Sequence, residues 1–199
     1  MAAIPPEITI RNISGTYILN RTLSDNSQAV LKQQNVGWLV RQAVQYSNID
    51  VTLTQYTTTI PPGEPHAGDQ RHHLDQYQSS TGGIRNVEDR VMDWEATVKP
   101  NKIWGEVRAR THYTTVAKLP DAWLREGWEK ECVEGEVIEG IVEGVKDGWT
   151  AHQVWGFAEV EGQRRHVRKI LAQRKGWKDE RIRMVYDWRG PVEEKNLVK

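Results

Sequence analysis

One cysteine, one phenylalanine and no net charge are what this 199-residue sequence has least of. Each scarcity excludes something. A lone Cys132 cannot form an intramolecular disulfide, which fits a reducing compartment. It lies between Glu131 and Glu134, a more anionic setting than a reactive thiolate prefers. The 27 lysines and arginines offset the 27 aspartates and glutamates, and the sequence pI is about 7.0. A chain so balanced has no overall field to draw it onto nucleic acid or an anionic membrane. No apolar run approaches the roughly 20 residues that span a bilayer. The opening MAAIPPEITIRN lacks the basic stretch and apolar run of a secretory signal, so the sequons at Asn12 and Asn20 are expected to stay unglycosylated. The expectation is a soluble cytoplasmic protein, a monomer or weak dimer, with no nucleic-acid partner and no membrane insertion.

Familiar catalytic signatures are missing too. There is no serine nucleophile elbow, Gly-rich phosphate loop, zinc spacing or dinucleotide fingerprint, and no cofactor is expected. His72-His73-x-Asp75 superficially suggests a metal site. On a strand, however, His73 and Asp75 share one face while His72 points the other way, so only two ligands converge and no metal is expected. His112, His152 and His166 are scattered, with nothing in the sequence to bring them together. The basic stretch Arg164-Arg165-His166-Val167-Arg168-Lys169 alternates across both faces of a strand with no interleaved aromatics. It reads as a charged outer wall from which one or two arginines turn inward.

What the sequence does contain is tryptophan, nine of them against the single phenylalanine. Some serve as the large core residue of this chain, and some are expected to line a pocket. The stretch from Gly15 to Tyr56 reads strand, two short helices, strand, with the helical lid over 22–44. Val36, Leu39, Val40, Ala43 and Val44 form an apolar stripe at helical spacing, and Trp38 lies off it among Arg41, Gln42 and Gln45. Residues 1–12 read as a tail. Almost everything else reads as strands: 14–20, 48–57, 70–79, 86–95, 102–113, 136–146, 149–160, 163–173 and 180–189. Asp147-Gly148 and Glu161-Gly162 mark tight hairpin turns. The 114–134 segment breaks the rhythm as an enlarged loop with a short helix around Trp123, Leu124 and Trp128. It is either a strut on the outer wall or a second part of the lid. A meander this long closes on itself, because closure removes exposed edges. The fold expected over 1–199 is a single all-β domain, an antiparallel up-and-down barrel of about nine or ten strands with a helix–turn–helix lid near the N-terminus.

Gly15-x-Tyr17, Leu19, Leu23-Ser24 and Val36-Gly37-Trp38 with Arg41 resemble the N-terminus of the intracellular fatty-acid-binding and retinoid-binding proteins of the calycin superfamily. The resemblance is good over 12–56 and partial at Val185-Tyr186-Asp187. It implies a barrel with a helical lid over an internal ligand cavity. It also implies that an Arg-x-Tyr pair on the last strand would hold a ligand carboxylate. Here Tyr186 matches the tyrosine but Met184 occupies the arginine position, so a neutral or phenolic ligand is expected unless Arg108 or Arg110 supplies the charge.

The best site material is aromatic and polar residues sharing strand faces. Trp149, Gln153, Trp155 and Phe157 share one; Ile182, Met184, Tyr186 and Trp188 share another; Arg108, Arg110 and His112 share a third with Trp104. Both faces of each strand carry mixed residues, so composition does not say which is internal. The candidate ligand-binding residues are Trp38, Trp104, Arg110, Gln153, Trp155, Met184 and Tyr186. Two functions fit: an intracellular carrier of a hydrophobic small molecule, as the resemblance implies, or a cofactor-free isomerase or cyclase of the pericyclase type. The second needs only shape and a few hydrogen bonds, and so would leave no motif. A filled barrel that binds a partner is a third reading.

Overall fold

The computed structural model describes residues 3–192. Ten strands form one antiparallel sheet: β1 (Gly15–Leu19), β2 (Ile49–Thr59), β3 (Gln70–Ser80), β4 (Arg85–Val91), β5 (Thr97–Asn101), β6 (Gly105–Thr114), β7 (Val137–Gly144), β8 (Trp149–Val160), β9 (Gln163–Arg174) and β10 (Glu180–Gly190). Their order, β4-β3-β2-β1-β10-β9-β8-β7-β6-β5, is an up-and-down meander in which β1 returns to pair with β10. This is the antiparallel up-and-down barrel with a helical insertion after the first strand that the sequence led us to expect. Two helices, α1 (Gln28–Gln33) and α2 (Trp38–Tyr46), sit between β1 and β2.

The tenth strand is β5, and it comes from the middle of the chain. It is only five residues long and contains Pro100, which has no amide hydrogen to donate and is tolerated at a sheet edge. Two continuous strands expected at 86–95 and 102–113 are shorter than that. Trp94 takes a positive φ of 66° after β4, and Gly105 takes 73° in the turn between β5 and β6. The sheet is not hydrogen-bonded between β4 and β5. Side chains stitch that seam: Asn101 Nδ2 donates to Asn86 Oδ1 at 2.9 Å, and Lys99 pairs with Asp89. Beyond it, the Trp94 amide donates to the Thr111 carbonyl at 3.0 Å and ties the β4 side to β6.

The segment expected as a tail closes one end of the barrel. Ile4, Ile10 and Ile13 are buried. Arg164 extends from β9 to donate to the carbonyls of Pro5 and Ile8 at 2.9 and 2.7 Å, while Tyr17 donates to the Ile13 carbonyl at 2.7 Å. Pro5-Pro6 stops regular structure, but the isoleucines around it supply apolar area whose removal from water stabilises the plug.

The 114–134 segment forms a strut on the outer wall of β8 and β9. It contains α3 (Ala122–Arg125) and α4 (Lys130–Glu134). Asp121 Oδ1 accepts from the Trp123 amide at 2.9 Å, a side-chain cap for the orphan donors at the start of α3. The Trp128 ring lies over Gly156, where a Cβ would fall 2.8 Å from it. Lys169 Nζ donates to the Trp123 and Glu126 carbonyls at 2.5 and 2.7 Å, with the Trp123 and Trp128 rings 4.5 and 5.4 Å away.

Candidate active site

Alternation along the strands decides what faces inward. On β10, Ile182, Met184 and Tyr186 turn into the barrel; on β9, Arg168 and Ile170 do; on β8, Trp149 and Gln153 do. These residues enclose a cavity of about 200 Å³ beneath the lid. Its upper walls are apolar, built from Val30 and Leu31 of α1 with Val107, Val142, Trp149 and Ile182. The lid is fastened to the rim by Trp104, whose indole Nε1 donates to Gln34 Oε1 at 3.1 Å. The Trp104 amide in turn donates to Asn101 Oδ1 at 3.2 Å.

The floor is polar and charged. Arg90 reaches inward from β4, is buried, pairs with Glu88 and donates across the seam to Thr111 Oγ1 of β6 at 3.2 Å. Arg168 donates from Nε to Gln153 Oε1 at 2.9 Å and from Nη1 to Gln76 Oε1 at 3.4 Å. Trp155 lies beneath both arginines, its ring centre 5.0 Å from the Arg90 guanidinium carbon and 4.9 Å from that of Arg168. Such contacts of a cation with a ring face offset part of the cost of taking the charges out of water.

Burial would raise the Glu88 carboxyl, but Arg90 and Arg168 outweigh it and hold Glu88 below the usual carboxylate range. Asn86 Nδ2 donates to Glu88 Oε1 at 2.8 Å and fixes its orientation. A hydrogen-bonded chain therefore runs from Asn101 at the seam through Asn86 and Glu88 to Arg90 and Thr111. Burial pulls Arg168 down from its ordinary value and pushes the Tyr186 phenol up. The Tyr186 hydroxyl lies 3.8 Å from Met184 Sδ. Below the floor, His166 stacks on Tyr186 with ring centres 5.1 Å apart. Burial drives its pKa down to about 3, so His166 is a neutral packing residue near pH 7.

An apolar chamber ending on fixed hydrogen-bond donors can hold a flexible unsaturated chain in one folded conformation and polarise an oxygen at its end. No protein-family model matches the sequence. Over 197 residues it is 32% identical to the probable pericyclase scpY of Mollisia scopiformis, an alignment covering 98% of this chain and 99% of that protein. Over 194 residues it is 31% identical to the pericyclase pydY of an Acremonium species, covering 95% and 98%. The chain belongs to this pericyclase family. Among solved structures, the Echinococcus granulosus fatty-acid-binding protein 1 matches with 11% identity and a TM-score of 0.49, over 88% of this chain and 96% of that one. The REP1-NXSQ fatty acid transporter matches with 11% identity and a TM-score of 0.49, over 91% and 98%.

Of the residues singled out in the sequence of this pericyclase-family chain, Trp104, Gln153, Met184 and Tyr186 line the cavity. Trp155 lies just under its floor. Trp38 does not line it and is 62% exposed, and Leu39 of the expected apolar stripe is 75% exposed; Val36 and Val44 line the cavity instead. Arg110 also lies outside, because Val107 and Ala109 are the inward residues of β6. Its guanidinium carbon sits 4.6 Å from the Trp94 ring centre on the outer wall. The turn at Gly105 breaks the parity that would have placed Trp104 and Arg110 on one face.

Sequence reasoning missed Glu88 and Arg90. On β4 the usual polarity is inverted: Asn86 and Arg90 are buried, whereas Val87 is 58% exposed. The scattered histidines were missed as well. His112 and His152 converge on Glu139 of β7, with Nε2 to carboxylate distances of 2.8 and 2.6 Å, on the face opposite the cavity. Among the described residues no group of three or more His, Cys, Asp or Glu is arranged to hold a metal ion. No described helix is long and apolar enough to cross a membrane.

Proposed function

We propose that this protein is a cofactor-free pericyclase that folds a hydrophobic polyunsaturated small molecule inside the barrel and promotes its concerted ring closure. Its support is the combination of an apolar chamber with the buried Arg90–Glu88–Arg168 floor, in a chain related end to end to two pericyclases. A pericyclic step exchanges π bonds for ring σ bonds and moves no net proton or electron, so it needs no nucleophile, acid–base pair or redox group. What an enzyme supplies is conformation: it holds the chain in the near-attack geometry that the free, flexible chain only rarely visits. The apolar walls fix the chain. Arg90 and Arg168 donate to an oxygen conjugated with the reacting alkene and draw electron density from it, a preorganised electrostatic contribution that requires no reorganisation during closure.

The carrier reading draws on the same cavity but gives the charged floor only an anchoring role. The two separate in one experiment. A strain of the source organism lacking the gene accumulates the uncyclised compound, and purified protein is added to that compound. A pericyclase converts it to a product of unchanged mass with fewer double bonds and a new ring, at a rate proportional to protein. Recovery of the compound unaltered, in a stoichiometric complex, would leave the carrier.

A further inference from the structure

The cavity floor carries an unbalanced charge and unpartnered donors, and together they specify the head of the molecule it takes. Resting on the reading of the barrel cavity as the substrate site, we propose that the head group is a monoanion presenting two oxygens, a carboxylate or the enolate of an acidic 1,3-dicarbonyl, held by Arg90 and Arg168.

The charged residues lining the cavity are Glu88, Asp89, Arg90, Lys99 and Arg168. Asp89 and Lys99 pair with one another at the seam. At the floor two guanidiniums face one carboxylate, which leaves one positive charge. Uncompensated buried charge is costly, so such a floor is most stable when an anion completes it.

Hydrogen bonding points the same way. Among the described residues, the buried side-chain donors without a partner are Arg90 Nε and Trp155 Nε1 at or under the floor and Trp149 Nε1 on the upper wall. Arg90 is 7% and Trp155 3% exposed. The acceptors left without partners, Gln33 Oε1 and Asp75 Oδ1, belong to α1 and β3 and are not part of this floor. No protein acceptor meets Arg90 Nε, and a ligand oxygen in the cavity would supply one. Two oxygens suit two guanidiniums held over one indole, because charge-assisted pairs gain most when each fork meets its own acceptor. Ring closure gains and loses no atoms, so the head keeps its net charge and its hydrogen bonds throughout.

The test is calorimetric titration of the full chain at pH 7.5 with two matched pairs: dodecanoate against methyl dodecanoate, and 2-dodecanoylcyclohexane-1,3-dione against its O-methyl enol ether. In at least one pair the anion is expected to bind tenfold tighter or more, and the pair that shows the larger ratio identifies the head group. Glu88→Gln raises the floor from one positive charge to two while keeping an acceptor toward Asn86 and Arg90. The anion preference should grow about tenfold, an effect opposite to that of simple damage to the site. Arg168→Met should reduce the preference below twofold. Equal binding of acids and methylated forms by the wild type, no binding of any of the four, or a weaker anion preference in a folded Glu88→Gln protein would each overturn the proposal. Anion preference without ring closure would sink the pericyclase reading and leave this one; ring closure with equal binding would do the reverse.

Discussion

Met184 on β10 pairs directly across the ladder with Arg168 on β9. The charge absent from the last strand is thus supplied one strand away, from within a basic stretch that reads as outer wall. This overturns the ground for expecting a neutral ligand, since the cavity needs neither Arg108 nor Arg110 to be cationic. Met184 itself is an apolar wall residue. Met184→Leu should therefore cost less than about 1.5 kcal/mol of stability, as volume-conserving core swaps do. It should leave the ratio of acid to ester binding within twofold of wild type; a collapse of that ratio would assign Met184 a direct part in holding the head group.

Trp104 fastens the lid to the rim through one hydrogen bond to Gln34 Oε1. Trp104→Phe removes that bond and should cost on the order of 1 kcal/mol. The loss should be local. Amide exchange over Gln28–Gln33 is expected to accelerate while β8 and β9 keep their protection, and uniform acceleration would show that the lid is no separate unit.

Gly156 and Trp128 test whether the strut is independent of the cavity. A Cβ at 156 would lie 2.8 Å from the Trp128 ring on the outer face of β8. Gly156→Ala should destabilise the protein by about 1–3 kcal/mol through overpacking. Binding of the probes inside the barrel should be unchanged in the folded variant.

His166 gives the stability a defined acid limb. Its pKa in the folded protein is lowered to about 3, against an unperturbed value of about 6.5. Between those values the unfolded chain binds the extra proton and the folded one does not. The contribution is therefore complete above about pH 6.5 and is lost as the pH falls toward 3, with a slope of up to about 1.4 kcal/mol per pH unit from this one group. Chemical denaturation from pH 7 to 4 should show a shallower decline in His166→Gln than in the wild type.

Trp38, a candidate ligand-binding residue in the sequence, is mostly exposed outside the cavity wall. Trp38→Ala should change stability by no more than about 0.5 kcal/mol, the usual range for surface substitutions. Probe binding should change less than threefold.

The barrel was legible because its signals are local: period-two strands, Asp147-Gly148 and Glu161-Gly162 turns, and one helical insertion after the first strand. Side-chain alternation grouped Gln153 with Trp149 on β8 and Met184 with Tyr186 on β10, but it did not say which face was internal; the structure turns both groups toward the cavity. β5 was not legible, since five residues with a proline carry no strand pattern. Nor was the floor. Reading apolar residues as internal selects Val87 on β4, whereas Glu88 and Arg90 are internal because they pair with one another and the Glu88 carboxylate offsets part of the charge on Arg90 and Arg168. The His112–Glu139–His152 cluster was hidden for a related reason: its members meet only through the pairing of β6, β7 and β8. Such partners are fixed by strand register, which single-chain periodicity does not report.

The most direct test of the account is a crystal structure with the cyclised product bound. The rings should lie between Trp149, Val107 and Ile182 beneath α1, with two product oxygens within about 3.2 Å of the Arg90 and Arg168 guanidiniums, the ordinary hydrogen-bond reach. A product bound with its oxygens toward the lid and its rings on the charged floor, or seated outside the barrel, would contradict it.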